Sequence, residues 1–425
     1  MRYFLPFLLT VLLLISNPSA GIAQEPTPEE KQESTPTPSV CHQIKDALRA
    51  SWDAYKLTYM EPDGRVRDPN ANDISTSESQ SYAMLRAVWM RDQDTFDKVY
   101  QWAVDNLITP NKGHLGAWKW GKHEDGEWKI LDPASASDAD EDMALALLMA
   151  FEAFQEPRYK EEAFKLLHAI WDKEVVKTPY GQTLTPGDWV KQYKHAQTQG
   201  HITLNPSYFS PLSYRIFSHY DKTHDWYKLL DSSYKLLGTL KDRTRTGLPP
   251  NWFQLNLDQG RRRTAIQLYT DPKDQRSDYG YDAIRVHWRI GLDDLLTGDK
   301  RAKAVLKNTN FLERYWHVRH ILPSPLTIDG IERNLDEILY ASNSIYGATL
   351  PHLSAQYPQI AQDILNRFIL NRLNQGIWEP ATDYYAQNWL WLGLLGYYAQ
   401  TCTTVQPRSP KQPVCAKALL ELSPF

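Results

Sequence analysis

Three acidic residues stand where strongly apolar segments begin, and their carboxyl groups could carry acid–base chemistry. Glu78, Asp138 and Asp282 each open such a segment, so we expect each near the first turn of a buried helix. An acid at that place can also simply cap free N–H groups and interact favourably with the helix dipole. Two carboxyl groups across a cleft, one protonated and one ionised, can instead cleave a glycosidic bond by general acid and base action. Because three different segments share this feature, we interpret the acids together as a candidate catalytic site.

The most acidic of these segments is A-S-D-A-D-E-D-M-A-L-A-L-L-M-A-F-E-A-F, residues 136–154. Every residue from Met143 to Phe151 is apolar, and a helix that is hydrophobic on all sides must be buried. Capping accounts for one or two of its acids. We therefore expect Asp138 to face the site, and Asp140 and Asp142 to cap the helix and support Asp138.

Apolar periodicity predicts helices of two alternating kinds. The first kind is amphipathic and suits an outer layer; its predicted members are Gln43–Tyr59, Asp94–Leu107, Pro157–Val175, Asp225–Lys241, Asp299–Trp316 and Pro358–Leu373. The second kind opens with Ser, Asn or Asp and then turns heavily apolar; its members are predicted to begin near Ser77, Asp138, Pro206, Tyr281, Ala341 and Asp383. Six helices of each kind in alternation predict an all-α fold, an (α/α)6 barrel.

A barrel of this kind would gather the starts of all six inner helices on one face. The predicted starts hold carboxylates, amides and tyrosines, and the long connections before them hold several tryptophans. Loops of such length in a compact domain are usually functional. The flat face of an indole or phenol ring suits the apolar face of a sugar ring, so neutral glycans are the expected ligands.

The N-terminal residues have the pattern of a signal peptide. Arg2 precedes an apolar run, Tyr3–Ile15, and small residues follow near Ala23, which together predict cleavage of residues 1–23 and a secreted or periplasmic protein without stable membrane insertion. Residues 24–40 are rich in Pro, Thr and Glu and are predicted to be a disordered linker. Residues 41–425 are predicted to form one domain.

Three cysteines, Cys41, Cys402 and Cys415, permit one disulfide in an exported protein. Cys402 and Cys415 are preferred because they close a short segment, but Cys41 could equally join the two ends of the domain.

Charge and residue spacing disfavour several classes of ligand. A formal charge of −4 disfavours nucleic acid, which would call for a basic surplus. The histidines lack paired zinc spacing, and the alternating Asp138, Asp140 and Asp142 fail as a calcium loop because Met143 replaces its glycine. We expect no metal, no cofactor and a monomer.

Several motifs in order resemble glycoside hydrolase family 8. They are T-S-E-S-Q-S-Y-A-M at 76–84, A-W-K-W at 117–120, the stretch 136–154, L-T-P-G-D-W at 184–189, N-P-S-Y-F at 205–209 and Y-D-A-I-R-V-H-W-R at 281–289. They recur in the family's order across most of residues 75–290.

The resemblance implies an (α/α)6 barrel that hydrolyses β-1,4-linked polysaccharides with inversion. It implies Glu78 as general acid, Asp282 as general base, and Asp138 as the residue that holds the distorted sugar at the cleavage point. The residues it implies for substrate binding are Trp118, Trp120, Tyr208, Trp252, Tyr281, Arg285 and Tyr384.

Two positions depart from the family's pattern. His287 stands where the family usually has Pro, and Asn251 stands where an Asp often precedes Trp252. Neither removes a catalytic carboxylate. The sequence therefore predicts an endo-β-1,4-glucanase acting on cellulose or mixed-linkage glucan. The alternatives are a xylanase or chitosanase of the same family, and a non-catalytic glycan-binding toroid in an exopolysaccharide system.

Overall fold

Long helices carry the architecture of the computed structural model, which describes residues 38–108, 113–192, 200–257, 266–271, 273–307, 310–323, 325–333 and 343–425. The predicted signal peptide, 1–23, and residues 24–37 of the predicted linker lie outside the described residues, as does Ala341. The first helix begins at Pro38, so the last three residues assigned to the linker are helical instead.

Amphipathic helices form the outer layer. They are α1 (Pro38–Tyr59), α3 (Gln93–Asn106), α5 (Pro157–Glu174), α7 (Trp226–Lys241), α9 (Lys300–Lys307) with α10 (Asn310–Arg319), and α12 (Pro358–Ile364), which continues through a π-helical turn, Leu365–Ile369, and a 3-10 turn, Leu370–Arg372. In α5, Tyr159, Ala163, Leu166 and Ile170 are buried on one face. Such spacing gives a helix a single apolar stripe, which packs inward.

Apolar helices form the inner layer. They are α2 (Ser77–Trp89), α4 (Ser137–Phe154), α6 (Pro211–Tyr220), α8 (Arg285–Thr297), α11 (Ser344–Gln356) and α13 (Tyr384–Cys402). In α4 every residue from Ser137 to Ala150 is buried. Consecutive inner helices pack side by side, and α13 closes the ring on α2, where the rings of Trp389 and Tyr82 lie 5.6 Å apart. The fold is the predicted (α/α)6 barrel.

Two inner helices begin later than predicted. Residues Pro206–Tyr208 form a single 3-10 turn capped by Asn205, and α6 begins only at Pro211. Residues 281–284 likewise form turns, and α8 begins at Arg285. Tyr208 and Asp282 therefore stand above the helices on the chain that enters them.

Short antiparallel strands occupy the connections that lead from an outer helix into an inner one. They are β1 (Ser75–Thr76), β2 (Lys119–Lys122), β3 (Trp128–Asp132), β4 (Val175–Thr178), β5 (Gly181–Leu184), β6 (His201–Leu204), β7 (Phe253–Asn256), β8 (Ile266–Gln267), β9 (Leu373–Asn374) and β10 (Ile377–Trp378). They form the sheets β1-β2-β3, β4-β5, β6-β7-β8 and β9-β10. Connections in the opposite direction are short, so the elaborated loops all lie on the face where the inner helices begin.

The disulfide joins Cys41 to Cys402, so the preference for Cys402 with Cys415 is wrong. The first outer helix, α1, packs against the last inner helix, α13, which brings Cys41 to the end of α13. Cys415 is free, and its sulfur lies 3.1 Å from the Tyr220 hydroxyl.

Over the described ranges, none of the helices combines the length and the apolar character needed to cross a membrane.

Two glycines allow the inner helices α11 and α13 to approach each other closely. A Cβ on Gly347 of α11 would lie 2.1 Å from the Trp389 carbonyl oxygen, and a Cβ on Gly393 of α13 would lie 2.0 Å from the Gly347 carbonyl oxygen. Both distances are far below van der Waals contact, so the two backbones cross without room for a side chain.

We therefore expect Gly347→Ala to destabilise the fold by about 3 kcal/mol, because α11 and α13 must separate. Gly238→Ala in α7 is the matched control, since a Cβ there meets nothing within 4 Å, and we expect it to be neutral or slightly stabilising. Thermal unfolding followed by circular dichroism measures both variants. Equal melting temperatures for the two would contradict the close crossing.

Candidate active site

The start of α2 presents Glu78 without using it as a cap. The Thr76 hydroxyl accepts the Ser79 N–H at 2.9 Å, and the Ser79 hydroxyl accepts the Thr76 N–H at 3.0 Å. This reciprocal capping box satisfies the Thr76 and Ser79 N–H groups without a carboxyl group. The Glu78 carboxyl group is therefore available for another role.

A single guanidinium joins the three predicted acids. Arg285 Nη1 lies 2.7 Å from Glu78 Oε2 and 2.7 Å from Asp138 Oδ2, while its Nη2 donates to Asp282 Oδ1. Arg285 is itself buried. The structure thus brings together four residues that are up to 207 positions apart in the chain.

The three carboxyl groups differ in exposure. The Asp138 side chain is 3% exposed, whereas those of Glu78 and Asp282 are 25% and 31% exposed. Asp138 therefore lies at the floor of the site, and the other two acids face the open side. A molecule bound there could reach Glu78 and Asp282 from solvent.

Burial raises the pKa of Glu78 to about 7. The positive charge of Arg285 opposes this rise, and the negative charges of Asp138 and Asp282 add to it. Glu78 consequently keeps its proton in mildly acidic and near-neutral solution, which suits a general acid.

Asp282 is held on both of its sides. Its Oδ2 accepts the Trp252 Nε1–H at 3.0 Å and its Oδ1 accepts from Arg285. The Asn251 side-chain oxygen accepts the N–H groups of Asp282 at 3.1 Å and of Ala283 at 2.9 Å. Burial raises the pKa of Asp282, and Arg285 and Trp252 oppose that rise. Asn251, noted above as a departure from the family's pattern, therefore fixes the turn that carries Asp282.

Aromatic residues border these acids. The Arg285 guanidinium lies 5.2 Å from the Tyr208 ring centre, and the Tyr208 and Trp252 rings meet edge to face at 5.9 Å. The Trp118 carbonyl accepts the Ser77 N–H at 3.1 Å, which places Trp118 beside the start of α2. Tyr281 directly precedes Asp282. The structure therefore brings these four predicted residues to the site.

Two of the residues predicted to bind substrate pack against other aromatic side chains instead of bordering the acids. Tyr384 is 4% exposed and packs against Tyr55 and Tyr59 of α1, so it does not present its ring for stacking. Trp120 lies in β2, where it packs edge to face on Trp102 and stacks with Trp128.

Sequence reasoning missed the next residue, Tyr385. Its hydroxyl donates to the Tyr281 carbonyl at 2.6 Å, and it lies close enough to Arg285 to affect the electrostatics of that residue. Adjacent residues of a helix point about 100° apart, so the exact start of α13 decides which tyrosine faces the site. The sequence analysis also missed Tyr82 of α2. It lies four residues after Glu78, and this spacing places the two side chains on the same face of the helix.

A second ion pair repeats the first one turn deeper. Arg289 donates to both oxygens of Asp142, at 2.8 Å and 2.9 Å, and all of these groups are buried. Asp142 lies four residues after Asp138 in α4, as Arg289 lies four residues after Arg285 in α8. Both pairs fix α4 against α8, so Asp142 supports the helix that carries Asp138. The expectation that Asp140 and Asp142 cap α4 is wrong, because no side chain caps the helix at its N-cap, Ala136.

Asp140 points to a different neighbourhood. Its Oδ1 accepts the Gly116 N–H at 3.1 Å, and its carboxyl group lies beside Glu174. Glu174 in turn accepts from the Ser135 hydroxyl at 2.6 Å. Burial raises the pKa of Asp140 to about 8 and that of Glu174 well above its usual value. A protonated Asp140 can donate to Glu174, which relieves the repulsion between them.

Within the part of the chain that the structure describes, no group of three or more His, Cys, Asp or Glu is arranged to hold a metal ion.

Comparison with known proteins identifies relatives of this chain and of its fold. Residues 38–329 match the family described as glycosyl hydrolases family 8. The endoglucanase of Escherichia coli K12 is 34% identical over 245 residues, which are 57% of this chain and 62% of that protein. The endoglucanase of Pseudomonas fluorescens SBW25 is 34% identical over 268 residues, covering 62% and 64%. The chain thus spans somewhat less than two thirds of the length of these relatives.

Solved structures agree. The endo-1,4-D-glucanase of Vibrio fischeri ES114 has a TM-score of 0.65 and 28% identity, with 82% of this chain and 94% of that chain covered. A cold-adapted family 8 xylanase has a TM-score of 0.64 at 19% identity, covering 86% and 93%. The second likeness concerns the fold alone.

The Asp140–Glu174 pair predicts a dependence of stability on pH. A carboxyl group whose pKa is raised by folding stabilises the native state below its unfolded pKa, and this contribution is lost as pH rises through the folded value. We therefore expect the melting temperature of the wild type to fall between pH 5 and 9, and that of Asp140→Asn to fall less. The asparagine keeps the acceptor for Gly116 and can donate to Glu174.

Asp125→Asn is the control. Asp125 lies on the surface, and Lys129 and a backbone N–H hold its pKa down to about 2, so its titration lies below this range. Parallel melting curves of wild type and Asp140→Asn across the pH range would exclude Asp140 as the group responsible.

Proposed function

The chain belongs to glycosyl hydrolase family 8, and on this basis we propose that it is an exported endo-acting hydrolase that cleaves β-1,4-glucan with inversion at the anomeric carbon. The single observation that carries the proposal is the cluster of Glu78, Asp138 and Asp282 around Arg285. Two of these acids are accessible and have different surroundings, as acid and base catalysis requires.

In the proposed reaction Glu78 is the general acid. It donates its proton to the glycosidic oxygen as the bond from that oxygen to the anomeric carbon breaks. The Asp282 carboxylate removes a proton from a water molecule, whose oxygen bonds to the anomeric carbon from the opposite face. One attack from one face inverts the configuration. Exchange of protons with solvent then returns Glu78 to its acid form and Asp282 to its base form.

Asp138 and Arg285 have positioning roles in this proposal. Asp138 lies buried at the floor between the acid and the base, where it can accept hydrogen bonds from the sugar at the cleavage point and hold it distorted. Arg285 keeps the site acids in fixed relative positions, and its charge offsets part of the cost of ionising Asp282 in a buried setting.

The aromatic border supports a neutral polysaccharide as substrate. Trp118, Tyr208, Trp252, Tyr281 and Tyr385 lie around the acids, and such rings present apolar faces together with a few polar groups. The relatives named endoglucanase support glucan over xylan or chitosan. The paired acid and base favour an enzyme over a non-catalytic toroid.

Replacement of the acid tests the proposal. We expect the wild type to release reducing sugar from carboxymethylcellulose and barley β-glucan faster than from xylan or chitosan, and Glu78→Gln to be slower by at least about 100-fold because it cannot donate the proton. Glu161→Gln on the exposed side of α5 is the matched control and should retain wild-type turnover.

Two outcomes would contradict the assignment. Wild-type turnover by Glu78→Gln would remove Glu78 from the reaction. NMR of the first-formed sugar tests Asp282 separately, because retention of configuration would exclude direct attack by an activated water molecule.

Asn251 provides a test through pH. For the wild type, kcat/KM should fall as pH drops through the pKa of Asp282 and as pH rises through the pKa of Glu78, about 7. Asn251→Asp keeps the oxygen that accepts the two N–H groups but adds a negative charge beside Asp282. This charge raises the pKa of the base, so we expect the acidic limb to move to higher pH.

The alkaline limb should move less, because Glu78 is further from residue 251 than Asp282 is. Asn251→Ala is the control: it removes the acceptor without adding charge, and should lower kcat without that displacement of the acidic limb. A profile for Asn251→Asp that superimposes on the wild type would show that residue 251 does not influence the base.

A further inference from the structure

Trp128, at the start of β3, is 44% exposed, and it is the only tryptophan among the exposed large hydrophobic side chains of the described residues. The neighbouring residues 122–127, K-H-E-D-G-E, are polar or glycine, and all of them are exposed. A single flat ring in polar surroundings differs from the broad apolar patches that mark protein interfaces. It suits a ligand with both a flat apolar face and polar edges, which describes a sugar ring.

The ring is held in place by its neighbours. Trp128 stacks with Trp120 at 5.2 Å and 23°, and Trp120 packs edge to face on the buried Trp102. The Arg65 guanidinium lies 4.4 Å from the Trp128 ring centre and 4.8 Å from that of Trp120. Arg65 is fixed in turn by the Ser75 hydroxyl at 2.9 Å. A ring ordered in advance loses little entropy when it binds a ligand.

Trp120 and Arg65 cover only one face of Trp128. The three distances among Trp128, Trp120 and Arg65 are nearly equal. If Trp120 and Arg65 covered opposite faces of Trp128, they would be separated by about twice that distance. Both therefore lie on the same side of the ring, which agrees with the exposure of Trp128.

The hairpin is continuous with the catalytic acid. Trp120 in β2 pairs with Ser75 in β1, and Lys122 at the end of β2 pairs with Trp128. The chain runs from Ser75 through the cap Thr76 to Glu78. Adjacent strands are about 4.8 Å apart, so Trp128 lies two strands, roughly 10 Å, to the side of β1. Trp128 is also displaced along the strands, because its partner Lys122 lies two residues beyond Trp120 in the direction away from Glu78. Trp128 is therefore separated from Glu78 by more than the sideways spacing, as an outer subsite for a long polysaccharide requires.

We propose that Trp128 forms an outer subsite that stacks a sugar ring of a β-linked glucan at a distance from the cleavage point. The identity of the ligand rests on the proposed function. The subsite would bind long substrates more tightly and leave short ones unaffected, because only a long chain reaches from Glu78 to the hairpin.

Kinetics on substrates of graded length tests this inference. We expect Trp128→Ala to raise KM for barley β-glucan and for the longest soluble cello-oligosaccharides by roughly three- to tenfold. Its kcat, and its KM for the shortest oligosaccharides cleaved, should match the wild type. Trp128→Phe keeps a flat ring and should recover most of the affinity.

Leu57→Ala is the matched control, since Leu57 is also an exposed apolar side chain and is 87% exposed. It should leave KM unchanged for every substrate. Melting temperatures of all variants separate loss of the subsite from loss of the fold. If KM for Trp128→Ala matches the wild type at every length, or rises equally for short and long substrates, the subsite is excluded.

A binding experiment separates this inference from the proposed function. Glu78→Gln and the double variant Glu78→Gln/Trp128→Ala are titrated calorimetrically with barley β-glucan. Weaker binding by the double variant supports the subsite even if the wild type proves to hydrolyse no glucan, which would overturn only the proposed function. Equal binding by the two variants, or no binding by either, overturns the subsite.

Discussion

Arg285 places a buried positive charge among carboxyl groups that belong to three different inner segments of the barrel. One cation cannot balance three anions in a setting of low dielectric, so at least one carboxyl group is expected to keep a proton. Burial and the two neighbouring acids direct that proton to Glu78, whose pKa rises to about 7. The cluster that Arg285 assembles thus also favours a proton on Glu78, the proposed acid.

This arrangement depends on the alignment of α4 with α8. The Asp142–Arg289 pair repeats the Asp138–Arg285 pair one turn deeper. Two pairs at a spacing of four residues prevent the helices from sliding or rotating against each other. Removing one partner would leave a buried charge uncompensated, which is strongly destabilising. The barrel wall therefore preserves the geometry of the site from below.

The sequence predicts the alternation of helices because apolar periodicity reports directly on burial, and it predicts Glu78, Asp138 and Asp282 because each stands at a polar-to-apolar boundary. The sequence predicts the site less well where the exact first residue of a helix decides which side chain faces it. The proline at 211 and the turns at 281–284 delay two helices, and the start of α13 turns Tyr385 rather than Tyr384 to the site. The pairing of Cys41 with Cys402 follows from the packing of α1 on α13, which no local pattern encodes.

The proposed acid and the proposed base are supported in different ways, and this has consequences for substrate choice. Glu78 stands on a helix whose first turn is capped within its own segment. Asp282 stands on a turn whose position is set by Asn251 and Trp252, residues of the loop that leads into β7. That loop also contributes an aromatic ring to the substrate side. A change that adapts the loop to another sugar would therefore also move the proposed base or alter its pKa, whereas the Trp128 side chain packs on Trp120 and Arg65 and not on the turn that carries Asp282. Under the proposed function and the proposed subsite, substrate length and substrate identity are thus governed by separate parts of the same face.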